Sequence, residues 1–156
     1  MDRKLVMEEL KQHIHELCLR EIQNRIDTAE TALAQSREAS NDDTKSSAGD
    51  KFETTREMMQ QDITRSKILL SEAQTNLQIL ESLLSAPSEN VVRIGSLVYT
   101  NNGIFYMSVS IGQLNYEGVT VYAISAQSPV GKSLLAKKVK DNFSFNQKEY
   151  IINQIL

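Results

Sequence analysis

The residues most able to do chemistry crowd one short stretch. Glu38, Asp42, Asp43, Asp50 and Glu53 stand close together, with Arg37, Lys45, Lys51 and Arg56 among them. Carboxylate oxygens are ligands for a hard divalent ion such as Mg²⁺. Added to an ion that keeps open water positions, they orient a water for attack on a phosphodiester. Turn propensity and helix capping account for part of the same cluster, because Asp50 and Glu53 fall where a second helix begins and its dipole favours negative charge. The other candidate chemistries fail on spacing. His13 and His15 are two apart, which on a helix separates them by roughly 200° and denies them a shared metal; they read as solvated surface histidines. Gly131-Lys132-Ser133 resembles the end of a phosphate-binding loop, but the first glycine of that motif falls on Ala126 and Pro129 interrupts the loop. Cys18 lies on an apolar seam with no charge nearby to lower its pKa, so it reads as core packing.

The acid cluster interrupts a helical pattern. Ile63, Ser66, Leu70, Ala73, Leu77, Leu80 and Leu84 recur at alternating steps of three and four, a seam of period 3.5. Val6, Leu10, Ile14, Leu17/Cys18, Ile22, Ile26, Ala29 and Leu33 repeat similarly, with one irregular step near Cys18. Between the two seams, Ala39 to Asp50 (ASNDDTKSSAGD) supplies turn chemistry. The simplest product is an antiparallel two-helix coiled coil with its tip near 40–50. Arms of roughly 35 residues reach about 50 Å. A bundle of several such chains has the same periodicity.

A break at Ala86-Pro87-Ser88 separates this segment, 1–86, from a second, 87–156. The first carries sixteen Asp/Glu against eleven Lys/Arg; the second carries four against six, within a chain of net charge −3. Eight of the nine aromatics lie in the second segment. Its β-branched and aromatic runs, Val91–Thr100, Ile104–Ile111, Val119–Ser125 and Tyr150–Leu156, predict strands, with Asn142 to Asn146 as a further short one. Asn102-Gly103 predicts a hairpin, and Gly112 to Gly118 reads as a connection. Ser128-Pro129 opens a short helix through Leu134 and Leu135, with Ser as cap and Pro at the first helical position. The expected class is α+β: a coiled-coil hairpin, then a small antiparallel sheet with one short helix.

The net charge excludes the strongly basic profile of a protein that grips nucleic acid through its phosphates. No run approaches ~18 apolar residues, so no membrane partner is expected. The N-terminus lacks a signal-peptide pattern, and a lone cysteine suits a reducing compartment, so a cytoplasmic protein is expected. No self-contained active site is visible in the second segment.

Three stretches carry a family resemblance. Ile124 to Asp141 (ISAQSPVGKSLLAKKVKD) resembles a segment of the Gre family of bacterial transcript-cleavage factors: Ile/Val-Ser-x-x-Ser-Pro-hydrophobic-small-Lys/Arg-Ala/Ser-Leu-hydrophobic, then Gly-Lys and Gly-Asp. Ala136-Lys137 and Lys140-Asp141 stand where those glycines usually are. Val91-Val92-Arg93-Ile94-Gly95-Ser96 is similar to the run leading the family's first C-terminal strand. Phe52-Glu53-Thr54-Thr55-Arg56-Glu57 is similar to its aromatic-x-x-x-Lys/Arg-Glu at the start of helix two.

The resemblance implies a coiled-coil hairpin with an FKBP-like C-terminal domain. The hairpin is expected to enter the secondary channel of RNA polymerase while the globular domain docks at the rim. There the family's tip acids hold the polymerase's second Mg²⁺ and its water, so that the polymerase cleaves backtracked RNA. The factor has no cofactor of its own, is not an enzyme alone, is expected to be monomeric, and meets the nascent RNA 3′ end only indirectly. With Phe52 as anchor, Asp42 or Asp43 takes the family's aspartate position and Lys45-Ser46-Ser47 the glutamate position. With Gly49-Asp50 as anchor, Asp50 and Glu53 reproduce the three-residue spacing. The first register keeps more of helix two and is adopted, making Asp42 and Asp43 the metal and catalytic ligands and Asp50 and Glu53 second choices. Lys45, Lys51, Arg56, Ser128, Pro129 and Lys132 are the expected polymerase or RNA contacts. Two alternatives remain: a channel binder that inhibits without cleavage, and a structural or chaperone-like coiled-coil protein.

Overall fold

The computed structural model describes residues 3–43, 49–83 and 90–156; side-chain surroundings are described for 3–39, 53–83 and 90–156. The element order is α1 (Arg3–Asp43), α2 (Gly49–Ser82), β1 (Leu97–Thr100), β2 (Gly103–Ser108), β3 (Gly112–Tyr116), β4 (Val119–Ser125), α3 (Pro129–Leu134), β5 (Asn142–Phe145) and β6 (Lys148–Ile155). The class is α+β, a helical hairpin followed by a mostly antiparallel six-stranded sheet with a short helix. The chain divides into two compact units, Ile22–Leu77 and the combination of Met1–Glu21 with Gln78–Leu156.

The unit of Ile22–Leu77 is a two-helix hairpin. Ile22, Ile26, Ala29 and Leu33 of α1 are buried, as are Ile63, Ser66 and Ala73 of α2, while Leu70 and Leu77 are half-buried. Periodicity had placed all of these on the seam. The helices run further into the expected tip than turn composition suggested: α1 continues to Asp43 and α2 starts at Gly49. Once a helix is propagating, each added residue gains a bond to the turn below, which outweighs the modest penalties of Ser40, Asn41 and Asp42.

The second unit holds the sheet, in the order β3-β4-β2-β1-β6-β5. Sequence reading expected four or five antiparallel strands. Among the described residues there are six, and β2 and β4 are parallel. The difference arises at Gly112–Tyr116, read as a connection. Its alternation of half-buried Leu114 and Tyr116 with exposed Gln113 and Asn115 makes it an edge strand. The β3–β4 hairpin folds β4 into the place beside β2, which forces the parallel pair. Glu117 (φ 48°) and Gly118 (φ 80°) form its two-residue turn, and Asn146 (φ 54°) and Gln147 (φ 66°) do the same between β5 and β6. Both are the left-handed pairs that match the twist of a hairpin. In the β1–β2 hairpin the turn residues are Asn101-Asn102, and Gly103 (φ 127°) already pairs with Thr100.

Period-two alternation sends side chains to both faces of this sheet. Val98, Phe105, Met107, Tyr150 and Ile152 pack with Leu134 of α3, Val130 and the half-buried Phe143 and Phe145. Tyr106 and its direct partners Leu97 and Ala123 point the other way and are also buried. That second face is covered by the N-terminal part of α1, where Met7, Leu10, Ile14 and Cys18 are buried. Met7, not the expected Val6, begins the line; Val6 is 45% exposed. From Leu10 through Ile14 to Cys18 the buried apolar residues recur at a four-residue step, which advances the line about 40° around the helix each time. A stripe that follows a sheet need not keep the 3.5-residue period of a coiled-coil seam.

Candidate functional site

The acid cluster is held by two helix ends. Asp42 and Asp43 are the last residues of α1, whose final turn contains no base. Asp50 and Lys51 lie in the first turn of α2, and Glu53 and Arg56 follow as exposed residues three apart on one helix face. Lys45 lies outside the described residues. The two pairs of acids differ in what explains them. An aspartate in the first turn of α2 is favoured by the helix dipole, whereas two aspartates closing α1 oppose it, by about 0.3–1 kcal/mol each. Capping therefore accounts for Asp50 but not for Asp42 and Asp43. Aspartate oxygens are of the chemical type that a hard divalent ion such as Mg²⁺ takes. Among the described residues no group of three or more His, Cys, Asp or Glu converges on one point.

The second candidate is the segment from Ser125 to Asp141. Ser128 caps α3: its Oγ accepts from the Gly131 backbone N–H at 3.0 Å and donates to the Ser125 carbonyl at 2.6 Å. Pro129 sits at the first helical position, exposed, and Lys132 is exposed one turn on. The small residue of the motif has a steric cause. A Cβ on Gly131 would lie 2.0 Å from the Ser125 carbonyl oxygen. Leu134 is fully buried in the core beneath, and Leu135 closes the helix. Beyond it, Ala136 (φ 67°) and Lys140 (φ 78°) are left-handed, a conformation in which a Cβ is strained and glycine is not.

The structure also brings together side chains that spacing rules had set aside. His13 and His15 are not solvated surface residues. His15 is 5% exposed, and its Nδ1 lies 2.7 Å from the Tyr106 hydroxyl; His13 is half-buried and stacks on Tyr116 with ring centroids 4.2 Å apart. The sheet face that packs on α1 buries them, and nothing local to α1 announces that face. The usable signal was position: His15 lies beside Ile14 and three residues from Cys18 on the apolar line. Burial holds the His15 imidazole below its ordinary pKa, with the Lys11 charge adding to this and Glu16 opposing. Its Nε2 is buried without a hydrogen-bond partner among the described residues. A cleft of about 760 Å³ opens alongside, lined in part by Lys11, Gln12, Tyr106 and Gln154. Lys11 donates to the Leu156 carbonyl at 3.2 Å. Cys18 is fully buried, as its seam position predicted, and burial pushes its thiol up to about 11.

No described helix is long and apolar enough to cross a membrane. Compared with known protein families, with curated proteins and with solved structures, the chain matches none of them.

Proposed function

We propose that the chain is a Gre-like transcription factor. In this reading it enters the secondary channel of bacterial RNA polymerase and promotes cleavage of backtracked RNA. One observation carries it. The segment resembling the family departs from it at two glycines, and the residues standing there, Ala136 and Lys140, both have positive φ. The backbone keeps the shape that the family's glycines permit, although the side chains have changed. The order of helical hairpin, sheet and Ser-Pro-capped α3 is the architecture the resemblance implies.

The division of labour follows from the elements. In this reading the hairpin of Ile22–Leu77 is the probe, with acids where α1 ends and α2 begins. Asp42 and Asp43, at the end of α1, are the first-choice ligands in this reading, and Asp50 and Glu53, at the start of α2, the second choice. Mg²⁺, shared with the polymerase, supplies water activation when bound. Lys45, Lys51 and Arg56 meet RNA or channel phosphates, and Ser128, Pro129 and Lys132 face the rim. A second reading is specifically favoured by the tip: with Lys45-Ser46-Ser47 in the glutamate position, the chain binds the channel and inhibits without cleaving. Backtracked elongation complexes separate the two. Release of a short 3′ RNA fragment that is lost in Asp42→Asn/Asp43→Asn supports cleavage. Binding with no fragment supports the inhibitor. Absence of binding removes both.

A further inference from the structure

The cleft beside His15 plays no part in the proposed function, and its lining mixes two kinds of chemistry. The described residues that line it all belong to the unit of Met1–Glu21 with Gln78–Leu156. Its volume of about 760 Å³ is in the range that holds a small organic molecule. Part of the lining is aliphatic: Leu19 of α1, Leu83, Ile155 of β6 and Leu156. The rest is polar and comes mainly from one face of α1, where Lys4, Glu8, Lys11 and His15 recur at steps of four, three and four. Lys11 is half-buried, and its Nζ donates to the Leu156 carbonyl at 3.2 Å. Among the described residues no carboxylate comes within ion-pair distance of it. Burial holds its pKa below the ordinary lysine value, with the Glu8 charge opposing. An ammonium with three donors thus has one neutral acceptor in a partly desolvated place, an arrangement that an incoming anion improves. Next to it His15, 5% exposed, has its Nδ1 engaged by the Tyr106 hydroxyl and its Nε2 unpartnered among the described residues.

We propose that this cleft binds a small aliphatic carboxylate, its head held by Lys11 and its chain lying against Leu19, Leu83 and Ile155. The charges on the lining set the ligand's charge. Lys11 calls for an anion, while the Glu8 and Glu16 carboxylates on the same lining repel a second negative charge, which disfavours a phosphate ester or a dicarboxylate. The aliphatic lining sets the ligand's body, since a chain laid against leucine and isoleucine leaves water and an inorganic ion gives them nothing to cover. Such a ligand touches α1 and the end of β6 together, so its binding stabilises the packing of the N-terminal part of α1 on the sheet. This site is independent of the polymerase reading.

The test titrates the full chain with sodium butyrate, hexanoate and octanoate, each below the concentration at which it forms micelles, by calorimetry and by thermal melting. Saturable binding at one site per chain is expected, with a raised Tm and an affinity that grows by up to about fourfold for each added methylene. Inorganic phosphate and 1-octanol, which carry only the charge or only the chain, are expected to bind on the order of tenfold more weakly than octanoate, or worse. Lys11→Met keeps an apolar stem without the charge and is expected to weaken octanoate on the order of tenfold, while Lys11→Arg retains most of the affinity. Leu19→Ser is expected to reduce the gain per methylene. Melting without ligand checks each fold, and should Lys11→Met melt early, Lys11→Gln replaces it. Absence of saturable octanoate binding at millimolar concentration overturns the proposal. So does octanoate affinity unchanged by loss of the Lys11 charge, which marks adsorption elsewhere on the chain. Octanol binding as tightly as octanoate removes the anion from the assignment, and phosphate binding more tightly removes the aliphatic body; either result overturns it as well.

Discussion

Replacing Ala136 and Lys140 by glycine is expected to stabilise the protein, against the usual cost of introducing glycine. An L-residue in the left-handed region costs about 1–2 kcal/mol, and a glycine in its place loses about 0.4–1 kcal/mol through the freer unfolded chain. The net gain at each position is then about 0.5–1 kcal/mol. Both side chains are exposed, so little packing is lost, and the backbone bonds Ala136 N–H to Val92 and Lys140 N–H to Ile152 survive the change. Together the two substitutions are expected to contribute about 1–2 kcal/mol, a rise of several degrees in Tm for a domain of this size. Thermal and urea melts of the full chain measure it, with Ala123→Gly as control: that residue is buried in β4 at ordinary strand geometry and its loss is expected to lower stability by about 1 kcal/mol. If Ala136→Gly and Lys140→Gly lower Tm as the control does, the left-handed geometry is wrong, and the strongest support for the family reading goes with it.

The same segment predicts the opposite sign one turn earlier. Gly131→Ala forces a Cβ to 2.0 Å from backbone and is expected to destabilise by about 1–3 kcal/mol, and Ser128→Ala to lose about 1 kcal/mol of capping, both read from urea midpoints. Stability is expected to fall with acid. Burial lowers the folded pKa of His15 below the unfolded value of 6.5, so the unfolded chain takes up the proton first; the contribution is intact above about pH 6.5 and is lost as pH falls through that range. His15→Leu is expected to flatten this limb of the stability–pH curve, and an unchanged limb would place the titrating group elsewhere. Tyr106→Phe removes the partner of His15 Nδ1 and is expected to cost about 1–3 kcal/mol, since the imidazole stays buried.

What was legible in the sequence follows the physics of each element. The hairpin seam from Ile22 to Ala73 and the strand Val119–Ser125 were readable because burial there repeats with the local period, and Ser128-Pro129 because a cap is a local hydrogen bond. β3 was missed because an edge strand of Gly, Gln and Asn looks like a connection until β4 pairs with it. The burial of His15 was missed for a related reason. A helix surface is judged by its own periodicity, and a sheet drawn from residues 97–155 changes which positions are covered. At the acid cluster, residue types suggested metal chemistry, while the helix ends distinguish Asp50, which a dipole explains, from Asp42 and Asp43, which it does not.

The most direct test of the proposed function is where the end of α1 goes when polymerase is present. A photo-crosslinker replacing Asp43 in the full chain, mixed with core RNA polymerase, is expected to attach to the segments that hold the catalytic Mg²⁺, and a crosslinker replacing exposed Glu149 is not. Crosslinks from position 43 confined to the enzyme's outer surface, or none above background, would contradict it.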